Sequence, residues 1–241
     1  MIEEHFMSDK NKRAIVVGAS RGIGLGLVRE LLNQHWQVIA TIRDIDQVST
    51  GLNQLLSEYP DRLELTELDL SYVQTADRLL SKYHEKSIDL LLVSAGILGP
   101  EHQRVEQCTP NEIANLFLVN SIAPVTIARK LLPLMKEKSV IAFMSSRMGS
   151  VALNDDGSME LYRASKAALN SITRGFAINE AIPAQIGVLN LHPGWVQTEM
   201  GGSHAPVSVN ESTTGIVRVV EDFIGKNEQQ FVDFQAHEIA W

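Results

Sequence analysis

Ala14-Ile15-Val16-Val17-Gly18-Ala19-Ser20-Arg21-Gly22-Ile23-Gly24 is the stretch that decides the fold. Four apolar residues stop at Gly18, and a run with Ile23, Leu27, Leu31 and Leu32 at helical spacing follows. A buried strand that turns through glycines into an amphipathic helix is a β-α unit. Gly18 lets the chain turn sharply as it leaves the strand. Gly22 would let backbone N–H groups approach a pyrophosphate, and Gly24 lets the helix sit close to the sheet. The helix N-terminus adds unpaired N–H groups and the positive end of its dipole, both suited to phosphate. The spacing is G-x-x-x-G-x-G, and a tight strand-to-helix turn alone would also need glycine.

The same unit recurs along the chain. Strand-like runs at 37–42, 63–68, 90–93, 140–144, 186–191 and 230–234 alternate with helical patterns at 47–59, 72–84, 110–132, 161–180 and 211–224. The strands are continuous apolar runs without period-two alternation, so both sheet faces should be covered. This predicts a doubly wound α/β fold, a parallel sheet of about seven strands with helices on both faces. No linker or repeat interrupts the 241 residues, so residues 13–241 read as one domain. Residues 1–12 are charged, show no signal peptide, and are expected to be poorly ordered.

Composition excludes several classes. Lys plus Arg is 21 against 29 for Asp plus Glu, a net charge of −8. That balance disfavours nucleic acid and anionic membrane surfaces as partners. The single cysteine, Cys108, rules out an internal disulfide framework and reads as a packing residue. No apolar run approaches the ~20 residues of a membrane span, so a cytoplasmic protein is expected. His192 and His204 have no carboxylate or histidine beside them at ligand spacing, and no metal is expected.

Tyr162 and Lys166 lie four apart in a predicted helix, hence on one face. A cation near a phenol favours the phenolate and lowers its pKa, which equips a tyrosine for acid–base work near neutral pH. Ser145 and Ser146 end the fifth strand, on the sheet edge where ligands bind in this architecture.

Gly18-x-x-x-Gly22-x-Gly24, Ser94-Ala95-Gly96, Asn120, Ser145-Ser146, Tyr162-x-x-x-Lys166 and His192-Pro193-Gly194 occur in this order. Together they resemble the short-chain dehydrogenases/reductases in their compact single-domain form. The likeness covers nearly the whole chain after residue 12. The segment 192–202 and the ending 231–241 look like the C-factor-like and sniffer-like branch, typified by NADPH-dependent reduction of aldehydes, ketones or quinones.

The resemblance implies roles. Tyr162 would donate a proton to a carbonyl oxygen, and Ser146, preferred to Ser145 because Ser146-x-x-Gly149 fits the family pattern, would hold that oxygen. Lys166 would lower the Tyr162 pKa and bind the nicotinamide ribose. Asn120 would anchor a water linking Lys166 to solvent. A dinucleotide would lie along Gly18, Ser20, Arg21, Gly22, Ile23 and Gly24, then Asp69 and Leu70 near adenine. It would continue past Ala95 and Gly96 to Pro193, Gly194, Val196 and Thr198 near the nicotinamide. Three departures stand out. Val17 replaces the usual Thr, Val93-Ser94-Ala95-Gly96 replaces Asn-Asn-Ala-Gly, and Ser146 lies unusually far before Tyr162, with the surplus placed at 154–157.

Asp44 lies 20 residues after Gly24 and would suit a ribose 2′-OH, hence NAD. Ile42 instead occupies the position of the family's NAD-selecting acid, and Arg43 follows it. Arg43, with Arg21 from the glycine loop, offers cations for a 2′-phosphate, so NADP(H) is the expected cofactor. Asp44 then reads as a turn or cap residue. Ile97, Leu98, Leu153 and Met200 lie near the strand ends, and Met148 and Trp195 are the preferred substrate contacts. The reading is an NADPH-dependent carbonyl reductase with a small-molecule substrate, paired as a homodimer or homotetramer through the helices near Pro110 and Leu161. A nicotinamide-binding sensor and an NAD-dependent alcohol dehydrogenase are the alternatives.

Overall fold

The computed structural model describes residues 12–241. Seven parallel strands form one sheet in the order β3-β2-β1-β4-β5-β6-β7. They are β1 (Arg13–Val17), β2 (Gln37–Ile42), β3 (Leu63–Glu67), β4 (Ile88–Val93), β5 (Met135–Met144), β6 (Gly187–His192) and β7 (Gln229–Asp233). Ala14 and Val16 pack toward one face, and Ile15 and Val17 toward the other. Successive side chains point to opposite faces and both faces are covered, which is why the strand shows no alternation.

Helices α1 (Gly22–Asn33), α2 (Thr50–Glu58) and α7 (Val209–Phe223) cover the first face. Helices α3 (Asp77–Lys82), α4 (Pro110–Phe117), α5 (Ala123–Leu131) and α6 (Glu160–Phe176) lie on the other side, where α3, α5 and α6 supply most of the core. Phe176 of α6 meets Phe143 of β5 edge to face, with ring centroids 6.2 Å apart. The predicted doubly wound architecture is the observed one.

Three local expectations change. The helix predicted over 72–84 has only the six α-helical residues of α3, entered through a 3₁₀ turn, Val73–Ala76. There the Thr75 hydroxyl donates to the Tyr72 carbonyl at 2.8 Å and accepts from the Asp69 N–H at 3.0 Å, a local alternative to helical bonding. β5 starts at Met135 rather than Val140, with Lys138 in a left-handed conformation inside it. The helix predicted over 110–132 is interrupted by a π-helical turn, Leu118–Ile122, between α4 and α5. Pro124 has no N–H and cannot bond the Asn120 carbonyl four residues back, so the ladder shifts to a five-residue step. The Ala123 N–H accordingly reaches the Leu118 carbonyl.

Read continuously, Pro110–Leu134 is 25 residues long and apolar enough to cross a membrane by length and composition. That corrects the expectation that no run approaches such a length. Half of its most apolar window is buried, and Leu116, Val125, Ile127 and Leu131 are fully inaccessible against the sheet or its neighbours. It is a core segment of this fold. The expected disorder of residues 1–11 lies outside the described residues. Lys12 is already tied in, since its carbonyl accepts the Gln37 N–H at 2.9 Å.

The β1–α1 turn is tightly packed. A Cβ on Gly24 would lie 1.9 Å from the Gly18 carbonyl oxygen, a backbone atom with no rotamer to yield. Gly24→Ala is therefore expected to cost about 1–3 kcal/mol, read as a lowered midpoint in urea unfolding.

Candidate active site

The strand order reverses between β1 and β4, and such a reversal opens a crevice outside the carboxyl ends. The glycine loop forms one wall. The Val17 carbonyl accepts N–H bonds from Ser94 at 2.9 Å and Ala95 at 3.1 Å, drawing the end of β4 beneath Gly18. A Cβ on Gly18 would sit 2.7 Å from the Ala95 Cβ, so no larger residue fits there. Helix α1 begins at Arg21 without a side-chain cap. Its first-turn N–H groups, flanked by Ser20 and Ile23, are thus left for an anion. Across the crevice Thr198 approaches this loop, 3.5 Å from where a Gly22 Cβ would be.

The second wall is α6. Leu161, Ser165, Lys166, Leu169, Asn170, Thr173 and Phe176 are its buried residues, and four of them are polar or charged. Polar groups on a buried face must find partners. Ser145 donates to Asn170 Oδ1 at 2.7 Å, and Asn170 Nδ2 donates to the Gly149 carbonyl at 3.2 Å. Ser145 is committed to this buried network, whereas Ser146 is turned toward Tyr162 and hydrogen-bonds with it. Ser146 Oγ also accepts the Met148 N–H at 3.1 Å. Lys166 Nζ donates to the Met144 carbonyl at 2.9 Å and lies 5.9 Å from the Tyr162 ring centre.

Asn120, on the π-helical turn, uses its whole amide. Its Nδ2 donates to the Ile97 carbonyl at 2.8 Å and to Ser165 Oγ at 3.0 Å, and its Oδ1 accepts the Ile97 N–H at 2.8 Å. Gly96 lies against it. A Cβ there would stand 3.3 Å from Asn120 Oδ1 and 3.4 Å from Lys166 Nζ, so β4 ends in a residue small enough for both to close around it.

The sequence model of short chain dehydrogenases matches residues 12–207. The chain belongs to the short-chain dehydrogenase family. The C-signal protein of Myxococcus xanthus is 34% identical over 156 residues, 64% of this chain and 93% of that protein. A carbonyl reductase from Pseudomonas aeruginosa, solved in complex with NADP, is 44% identical with a TM-score of 0.88, covering 95% of this chain and 99% of that one. The carbonyl reductase Sniffer of D. melanogaster is 32% identical with a TM-score of 0.82, covering 96% and 99%.

Electrostatics in this dehydrogenase depart from the sequence expectation at one point. Burial pushes the Tyr162 phenol up to about 12, and the hydrogen bond with Ser146 opposes that rise. The expected lowering by Lys166 does not prevail in the chain by itself, because burial costs the phenolate more. Burial also pushes Lys166 down, to about 8. A lysine whose pKa is depressed by folding binds fewer protons folded than unfolded between about 8 and its ordinary value near 10.5. Its burial penalty is therefore complete below pH 8 and fades as pH rises. Lys166→Met should be stabilised relative to the wild type near pH 7, with the difference shrinking toward pH 10. Thermal unfolding of both proteins across that range checks this.

The remaining expected residues spread along the crevice. Arg43 is exposed just past β2 and has no hydrogen bond or ion pair among the described residues. Arg21 is paired with Glu199, across the crevice, rather than standing as a second free cation. Asp44 accepts the Asp46 N–H at 2.9 Å and closes a turn. Asp69 follows β3 and accepts the Ser71 N–H at 2.8 Å. The Leu70 side chain is in the core. The Pro193 carbonyl accepts the Ser212 hydroxyl at 2.6 Å, fixing the turn that leads through Gly194 to the buried Val196. Met148 is partly buried beside Ser146. Trp195 is 58% exposed, its indole N–H donating to the Gly201 carbonyl at 2.7 Å. His192 is pushed down to about 4 by burial, against the pull of Asp233, and stays neutral.

Three residues went unremarked in the sequence. Pro124 was readable, as a proline inside a predicted helix. Glu199 and Gln103 carry no local signal, because their partners lie far along the chain.

Proposed function

We propose that this short-chain dehydrogenase is an NADPH-dependent carbonyl reductase acting on an aldehyde, ketone or quinone. The observation that carries the reading is the convergence of Ser146, Tyr162 and Lys166 at the carboxyl ends of β4 and β5. The residues present also fit the cofactor. An uncapped helix N-terminus faces the crevice, and Arg43 stands unpaired at the end of β2 where a 2′-phosphate would be met. The carbonyl reductase from P. aeruginosa bound to NADP supports the same assignment.

Gly18 to Gly24 would hold the pyrophosphate, Asp69 the adenine side, Lys166 a ribose, and Thr198 the nicotinamide end. Bound NADPH would supply a hydride to the carbonyl carbon. Ser146 and Tyr162 would hold the carbonyl oxygen through their hydroxyls, and Tyr162 would pass its proton to that oxygen as the C=O π bond breaks. Lys166 then has a proton to return, and its depressed pKa makes the transfer easier. Asn120, pinned between Ile97 and Ser165 on the π-helical turn, would anchor a water beside this path. Met148 and Trp195 would flank the substrate. All four side chains needed for turnover are retained, so the sensor alternative lacks the mark it would leave. Assembly as a homodimer or homotetramer belongs to the same proposal, supported by the exposed Ile113, Ile122 and Ile178 on the outer helices.

The test is loss of NADPH and NADH absorbance with a panel of aldehydes, ketones and quinones, with the alcohol product identified. NADPH consumed faster than NADH, with matching alcohol, is expected. NADH used alone would overturn the cofactor assignment.

A further inference from the structure

Helix α6 starts in an unusual way. Its N-cap, Met159, is in a left-handed conformation with φ 57° and gives no side-chain cap. First-turn N–H groups have no acceptor within their own helix. The Tyr162 N–H is one of them, and it is satisfied from 59 residues away, donating to Gln103 Oε1 at 2.9 Å. Gln103 is 6% exposed and holds a left-handed φ of 55°, a conformation uncommon outside glycine. Its amide nitrogen is also fully used, donating to the Leu98 carbonyl at 2.9 Å and the Pro100 carbonyl at 2.8 Å.

Those two carbonyls belong to the loop after β4. Leu98 and Pro100 line a cavity of about 290 Å³. The start of this loop is pinned to Asn120 through both backbone groups of Ile97. One buried amide thus fixes the far end of a cavity-lining loop and caps the helix that carries Tyr162. A strained backbone around a fully bonded buried side chain marks a position whose geometry is held by its surroundings.

We propose that Gln103 is a positioning residue that couples the loop over 97–103 to Tyr162, holding the phenol in register with Ser146. The inference rests on Tyr162 as the proton donor. Two functions are separable by substitution. Gln103→Leu removes both the acceptor and the donors. Gln103→Glu keeps an acceptor for the Tyr162 N–H, in a place where a helix N-terminus favours negative charge, but repels the Leu98 and Pro100 carbonyls.

The full-length chain is measured with NADPH and 4-nitrobenzaldehyde at pH 8. Cofactor affinity comes from NADPH fluorescence, and helix capping from hydrogen exchange of the Tyr162 amide. Gln103→Leu should lower kcat about tenfold or more, leave the NADPH Kd unchanged, and speed Tyr162 amide exchange. Gln103→Glu should keep kcat and Tyr162 protection near the wild type while raising KM, because the Leu98 and Pro100 contacts are lost. Wild-type kcat in Gln103→Leu overturns the proposal, as does unchanged Tyr162 protection. Should Gln103→Leu not fold, Gln103→Glu decides: raised KM with kept kcat supports the coupling, and lost kcat with unchanged KM refutes it. Tyr162→Phe is run alongside. If it turns over like the wild type, the proton-donor reading fails, and the Tyr162 amide exchange still decides the role of Gln103.

Discussion

Tyr162→Phe is expected to lower kcat/KM for carbonyl reduction by about a thousandfold, within the ~10²–10⁴ that a positioned general acid contributes. That loss corresponds to about 4 kcal/mol of barrier. In the proposed reaction the phenol is the acid; it lies beside Ser146, whereas Ser145, the neighbouring hydroxyl, is engaged by Asn170. NADPH binding should be nearly unchanged, because the substitution removes one oxygen and leaves Lys166 bonded to the Met144 carbonyl. The raised phenol pKa keeps the proton on Tyr162 at neutral pH, the state a proton donor needs. Steady-state rates and fluorescence titration on the same preparation separate the two effects.

Arg43→Ala is expected to weaken NADPH binding about a hundredfold and to change NADH binding by less than about threefold. Hydrogen bonds to charged groups contribute about 1.5–3 kcal/mol each, and ~1.4 kcal/mol is a factor of ten in affinity. Arg43 is exposed and unpaired among the described residues, so no internal ion pair has to break before it meets a phosphate. Arg21 differs, since it must first leave Glu199. Both partners of that pair are largely exposed, and such pairs are worth only ~0–1 kcal/mol, so Arg21 still reaches the phosphate at small cost. Its removal should therefore matter less than that of Arg43. Titrations with both cofactors at low and raised salt check the ranking, with the NADPH affinity of the wild type falling as salt screens the contact.

The two predictions rest on parts of the sequence that were legible to different degrees. The sheet could be read because burial on both faces writes itself as unbroken apolar runs, as in Ala14 to Val17 and Leu90 to Val93. The glycine loop could be read because Gly18 and Gly24 leave no room for a side chain. Lys166 drew notice through its spacing from Tyr162, and the polar face of α6 on which both lie is a pattern that local sequence can express. The π-helical turn was missed because helical periodicity smooths over one shifted residue, although Pro124 marked the place. The direction of the Tyr162 shift was misjudged because spacing reports the neighbouring charge, while burial depends on everything packed around it. Gln103 and Glu199 were invisible because each acts on a partner brought near only by the completed fold.

The central claim is that hydride arrives at a carbonyl carbon in the crevice while Tyr162 protonates the oxygen. Its most direct test uses NADPH with both C4 hydrogens of the nicotinamide replaced by deuterium, a prochiral aldehyde, and mass spectrometry of the alcohol. The account predicts one deuterium at the carbinol carbon for each NADPH consumed, and no labelled alcohol from Tyr162→Phe on the same timescale. NADPH bound but not consumed, or alcohol formed without the label, would contradict it.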